Sequence, residues 1–90
     1  MATKASIMAA IDAKVGRSPK IWRIGLTHDP VGRRMYWTEE EKRLTTQWAQ
    51  WEADSRSDAQ EIEAHFISRG MQGGSGEYLS PRQTVWVYVF

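Results

Sequence analysis

The sequence predicts an α+β domain with a small, mostly antiparallel three-stranded sheet flanked by helices. Three observations carry this. Residues 4–15, KASIMAAIDAKV, repeat Ile7, Met8, Ile11 and Val15 at helical spacing. Residues 57–69 repeat Ala59, Ile62, Phe66 and Ile67 in the same way. Between and after them lie stretches rich in β-branched and aromatic residues: KIWRIGL at 20–26, TQWAQWEA at 46–53 and TVWVYVF at 84–90. Strands interleaved with helices along 90 residues make one domain, residues 1–90.

Taken in order, the first helix stops at Gly16, and Ser18-Pro19 then forces an extended or turn geometry. The strand at 20–26 is followed by Asp29, a helix cap, and Pro30, a first helical position. A short helix from about 30 to 36 therefore carries Arg33 and Arg34. Thr38 with Glu41 makes a capping-box pattern for a second short helix at about 39–45. Residues 46–53 stay open between strand and helix, because Trp48 and Trp51 have helical spacing. Ser57 is the expected cap of the helix at 57–69, and Gly70 ends it. The glycine-rich stretch 70–83 connects to the terminal strand.

The chain has no cysteine, which excludes a disulfide framework and thiolate metal sites. It has no apolar run long enough to span a membrane and no leader pattern at its N-terminus, so cytoplasmic residence is expected. Five tryptophans in so short a chain read either as packing for a small core or as platforms for bases. Net charge is +1 but unevenly spread. Residues 1–37 hold seven Lys/Arg against two acids, net +5, and residues 38–69 hold four against eight, net −4. A basic segment opposite an acidic one suits a site holding both a phosphate and a metal ion, and equally suits two halves that attract each other.

Two separated pieces carry chemistry. One is Ile24-Gly25 with Arg33 eight residues after the glycine. The other is DAQEIEAHFI, residues 58–67, with Glu63 beside the apolar stripe. Together, in this order and spacing, they resemble the GIY-YIG nuclease-like family over about residues 21–69. The resemblance implies a GIY-YIG-like fold and metal-dependent hydrolysis of DNA phosphodiester bonds. On it, Arg33 matches the arginine that binds the scissile phosphate, and Glu63 matches the glutamate that holds one divalent ion, Mg²⁺ or Mn²⁺. The residue types suit those roles: a planar guanidinium fork fits a phosphate, and a carboxylate suits a hard cation. DNA is the implied partner.

The family's Gly-Ile-Tyr element has no counterpart before residue 21, and its second motif tyrosine is replaced by Arg23, beside Trp22. The position four after the arginine, often histidine or tyrosine in the family, is Trp37, with Tyr36 adjacent. The C-terminal strand carries Tyr88. If that strand supplies the missing first one, the sheet is complete in a permuted order and Tyr88 points towards Arg33 and Glu63. The alternative is that it only closes the sheet. His28, in the turn near Arg33, is the group there suited to carrying a proton near neutral pH. Lys20, Arg23 and Arg34 are further phosphate contacts on the basic segment, with a cross-strand salt bridge as the alternative for Arg23. The loop Gly70–Gly76 offers backbone amides or is a plain connection; it is no Walker loop. The other reading of the chain is an inactive member of the same fold, serving as a nucleic-acid-binding or protein-interaction module.

Overall fold

Thr3 opens the first helix in the computed structural model, which describes residues 3–74, 79–80 and 82–90. Its hydroxyl accepts from the Ser6 amide at 3.1 Å, closing one of the unpaired donors of the first turn. This helix, α1 (Lys4–Val15), ends at Gly16, whose φ of 63° suits glycine. Ile7, Ile11 and Val15 are its buried stripe.

The expected strand at 20–26 begins later than its composition suggests. Pro19–Ile21 forms a single 3-10 turn, because Pro19 fixes φ and the Trp22 amide reaches back to its carbonyl at 3.1 Å. Strand β1 is Ile24–Thr27. Asp29 caps the short α2 (Pro30–Met35) by accepting from the Gly32 amide at 3.1 Å, with Pro30 in the first turn. The second short helix expected at 39–45 is not present. A π-helical turn, Tyr36–Glu40, continues α2 directly. Thr38 does not cap: its hydroxyl bonds the Arg34 carbonyl at 2.9 Å, one turn back. The open stretch resolves as a strand, β2 (Ala49–Glu52). Helix α3 (Arg56–Ser68) is capped by Ser55, not Ser57, through the Asp58 amide at 3.0 Å. Strand β3 is Trp86–Val89.

The sheet runs β1-β3-β2, antiparallel throughout. The C-terminal strand is thus the central one. Its side chains alternate. Val85, Val87 and Val89 join Ile24 and Leu26 in a core with Ile7, Ile11 and Val15 of α1 and Ala59, Ile62 and Phe66 of α3. Each of these side chains other than Ala59 contributes about 1.5–3 kcal/mol through burial. Tyr88 and Phe90 point to the opposite face, where they pack with Trp37 and Trp48. α1 and α3 therefore cover one face of the sheet, and an aromatic layer that includes Trp37 of the π-helical turn covers the other. Met71, in the glycine-rich stretch that follows α3, is buried in the core. Gln72 bonds to the main chain of Trp22 and Ile24, extending the edge of β1 in parallel.

Candidate functional site

The site is built where β1 and β3 pair, with Gly25 directly opposite Tyr88. A glycine is needed here, because a Cβ at position 25 would meet the phenol oxygen and ring of Tyr88. The phenol crosses the space a side chain would fill and reaches the last turn of α2 and the π-helical turn that continues it. There its oxygen accepts from the Trp37 indole N–H at 3.0 Å and from the Arg33 Nε–H at 3.4 Å. Trp48 stacks on Tyr88 with ring centroids 4.5 Å apart and planes at 8°. Tyr88 is fully buried.

Three arginines lie on this aromatic layer. The Arg33 guanidinium sits 4.5 Å from the Tyr36 ring and 5.6 Å from the Trp37 ring. Arg23 sits 4.5 Å from the Trp37 ring, and its buried Nε has no hydrogen-bond partner among the described residues. Arg43 sits 5.6 Å from the Phe90 ring. Cation–aromatic contacts of this kind hold a guanidinium in place without neutralising its charge. Among the described residues, Arg23 forms no salt bridge; stacking takes the place of the cross-strand pair. The Trp37, Trp48 and Arg43 contributions were not assigned from the sequence. The aromatic alternation of Trp86, Tyr88 and Phe90 against valines was their one available signal.

The remaining expected residues fall into distinct places. Arg34 anchors the segment after the π-turn, donating to the Thr45 carbonyl at 2.9 Å and its hydroxyl at 3.4 Å. Tyr36 packs edge-on against Trp37 and is partly exposed. Lys20 is exposed, and its carbonyl accepts from the Gln72 side-chain amide at 3.1 Å. His28 is engaged at both ring nitrogens. The Ser80 amide donates to Nε2 at 2.7 Å, which makes Nε2 an acceptor and places the proton on Nδ1. Nδ1 then donates to the Thr84 carbonyl at 2.9 Å. His28 thus ties the end of β1 to the segment leading into β3.

Glu63 lies on α3, on the Ile24 and Leu26 side of β1, whereas Arg33 and Tyr88 lie on the Gly25 side. Its carboxyl is half-buried. Burial pushes its pKa up from the usual glutamate range, and the Gly74 amide, donating to it, offsets part of that rise. Gly74 follows the Gln72 extension of β1 and Gly73, where a Cβ would meet the Ile67 side chain. Glu63 therefore reaches the outer edge of β1. No hydrogen bond or salt bridge between described residues joins it to Arg33. Among the described residues no cluster of three His, Asp or Glu is present. Of the Gly70–Gly76 loop, Ser75 and Gly76 lie outside the described residues.

Comparison of the chain with protein-family models, curated proteins and solved structures finds no match.

Proposed function

We propose that this is a GIY-YIG-like domain in permuted order that hydrolyses DNA phosphodiester bonds with one divalent ion. The carrying observation is the placement of Tyr88 over Gly25, within hydrogen-bond reach of Arg33. The C-terminal strand thereby supplies a tyrosine beside the Ile24-Gly25 strand, where the resemblance calls for one. In this reading Arg33 binds the scissile phosphate and neutralises charge that develops on it. Tyr36 and Arg23 fix the position of the guanidinium and the ring against which it lies.

Glu63 fits a hard cation. Its carboxylate is an oxygen donor, and it is half-buried without a cationic side chain bonded to it among the described residues. An ion that keeps several waters can be held by one carboxylate together with a substrate phosphate. Glu63 would hold Mg²⁺ or Mn²⁺ there, and the ion when bound would supply Lewis-acid polarisation of the phosphate.

A second reading, DNA binding without cleavage, is favoured by one feature. The Tyr88 hydroxyl is fully buried and already held by two donors. Nicking of supercoiled plasmid with Mg²⁺ or Mn²⁺, lost in Arg33→Ala and Glu63→Ala, supports hydrolysis. Salt-sensitive DNA binding without nicking supports the second reading.

A further inference from the structure

β2 is an edge strand, and its register sets which of its groups face outward. The Ala53 N–H donates to the Val85 carbonyl at 3.0 Å. In the antiparallel alternation Trp51 and Ala49 therefore also turn their main-chain groups towards β3, opposite Val87 and Val89. The N–H and C=O groups of Gln50 and Glu52 point away from the sheet. The outer edge of β1 is met by Gln72. On the outer edge of β2, among the described residues, no main-chain partner meets Gln50 or Glu52. Such an unpaired row is a template for another extended chain.

A groove of about 300 Å³ lies against this edge, lined by Val31, Arg34, Met35, Thr38, Glu39 and Gln50. Val31 and Met35 stand one turn apart on α2 and are 69% and 53% exposed, high values for large apolar side chains. Gln50 and Glu52 lie opposite Tyr88 and Trp86, so their side chains share the face on which this groove opens. The rim is acidic. Glu39 lines the groove, Glu52 sits on the edge and exposed Asp54 follows it. The Arg34 guanidinium is turned to the Thr45 carbonyl.

We propose that this edge binds an extended segment of a partner protein, apolar on one face and flanked by Lys or Arg, which adds to β2 as an antiparallel strand. Main-chain bonds to Gln50 and Glu52 hold it, alternate apolar side chains enter the Val31–Met35 groove, and the flanking cations meet the acidic rim. A second copy of this chain would set one acidic rim against another, which opposes self-pairing. The surface is independent of any phosphodiester chemistry at Arg33 or Glu63. Antiparallel addition also fixes which amides of the segment are used. A residue opposite Gln50 or Glu52 exchanges both main-chain bonds with it and shares its face. The groove-facing residues of the segment are therefore the ones whose N–H groups donate to β2.

The test is fluorescence anisotropy with a labelled peptide, Lys-Lys-Val-Thr-Val-Thr-Val-Lys-Lys. N-methylation of its valine amides is expected to weaken binding at least about tenfold, the scale of losing two hydrogen bonds, whereas N-methylation of its threonine amides leaves binding within about twofold. Replacing the four lysines by glutamates weakens it further below the parent peptide. The double variant Val31→Ser/Met35→Ser, whose changes lie outside the core, binds the parent peptide at least about tenfold more weakly. Equal loss from the two methylations overturns the proposal, as does a loss confined to the threonine amides. Undiminished binding by the double variant, equal or tighter binding of the glutamate peptide, or no binding of the parent peptide does the same. Sedimentation velocity is run alongside. A concentration-dependent dimer that Val31→Ser/Met35→Ser abolishes also overturns it, because the edge then serves a second copy.

Discussion

The phenol of Tyr88 occupies the space that any side chain at Gly25 would need. Gly25 of β1 and the tyrosine of the last strand, 63 positions apart in the chain, are thus one structural unit. Gly25→Ala forces the ring or the strand to move and is expected to cost about 1–3 kcal/mol, the usual penalty for overpacking. Urea unfolding measures it. Tyr88→Phe in the same background does not recover the loss, because the ring carbon Cζ also meets the new Cβ.

Trp37 and Tyr88 depend on each other. Tyr88→Phe leaves the buried indole N–H without an acceptor, an expected loss of about 1–3 kcal/mol. Adding Trp37→Phe removes the stranded donor, so the two losses do not sum. A double-mutant cycle on unfolding free energies is expected to give a coupling of about 0.5–1.5 kcal/mol.

Glu63 makes stability depend on pH with an unusual sign. Burial raises its pKa in the folded state, so the folded chain holds the proton more tightly than the unfolded one. Its contribution is therefore most favourable below the ordinary glutamate range. That contribution is lost as pH rises through the raised folded value. Glu63→Gln is expected to be more stable than wild type at pH 7, with the difference vanishing as the pH falls to about 4, near the ordinary glutamate pKa. Thermal melts at a series of pH values check this. Millimolar Mn²⁺ is expected to raise the melting temperature of wild type and not of Glu63→Gln.

Lys4 and Glu61 join α1 to α3 on the surface at 2.6 Å. The Lys4 ammonium is held above its ordinary pKa by its hydrogen bond to, and the charge of, Glu61. Both side chains are solvated, so Lys4→Ala is expected to leave stability nearly unchanged in urea unfolding. DNA binding and nicking should be unchanged, since Lys4 is remote from the arginine layer. A nicking assay on this variant provides the comparison.

Much of the fold was legible because it rests on local signals. α1 follows from its alanines and its Ile7, Ile11, Val15 stripe, and β3 follows from alternating valines and aromatics. The cap of α3 was misplaced by two residues because Ser55 and Ser57 are equivalent in composition; backbone extension at Ser55 decides between them. The π-turn at Tyr36–Glu40 was not legible. Thr38 carries a capping signature, but its hydroxyl is used by the Arg34 carbonyl and Thr45 instead. Within the site, the approach of Tyr88 to Arg33 was foreseeable as one of two roles for the last strand. The Trp37 donor and the stacked Trp48 were not, because both depend on which face of β3 each ring meets.

The central proposal is that Arg33 and Glu63, which lie on opposite faces of β1, both serve one phosphodiester reaction. Single-turnover cleavage of a labelled DNA duplex with Mn²⁺ tests it most directly, with DNA affinity measured on the same proteins. Cleavage is expected to fall at least about 100-fold in both Arg33→Ala and Glu63→Gln, the scale of losing a charge-stabilising group, while affinity falls only in Arg33→Ala. Undiminished cleavage by Glu63→Gln, or no cleavage by wild type with Mg²⁺ or Mn²⁺, would contradict it.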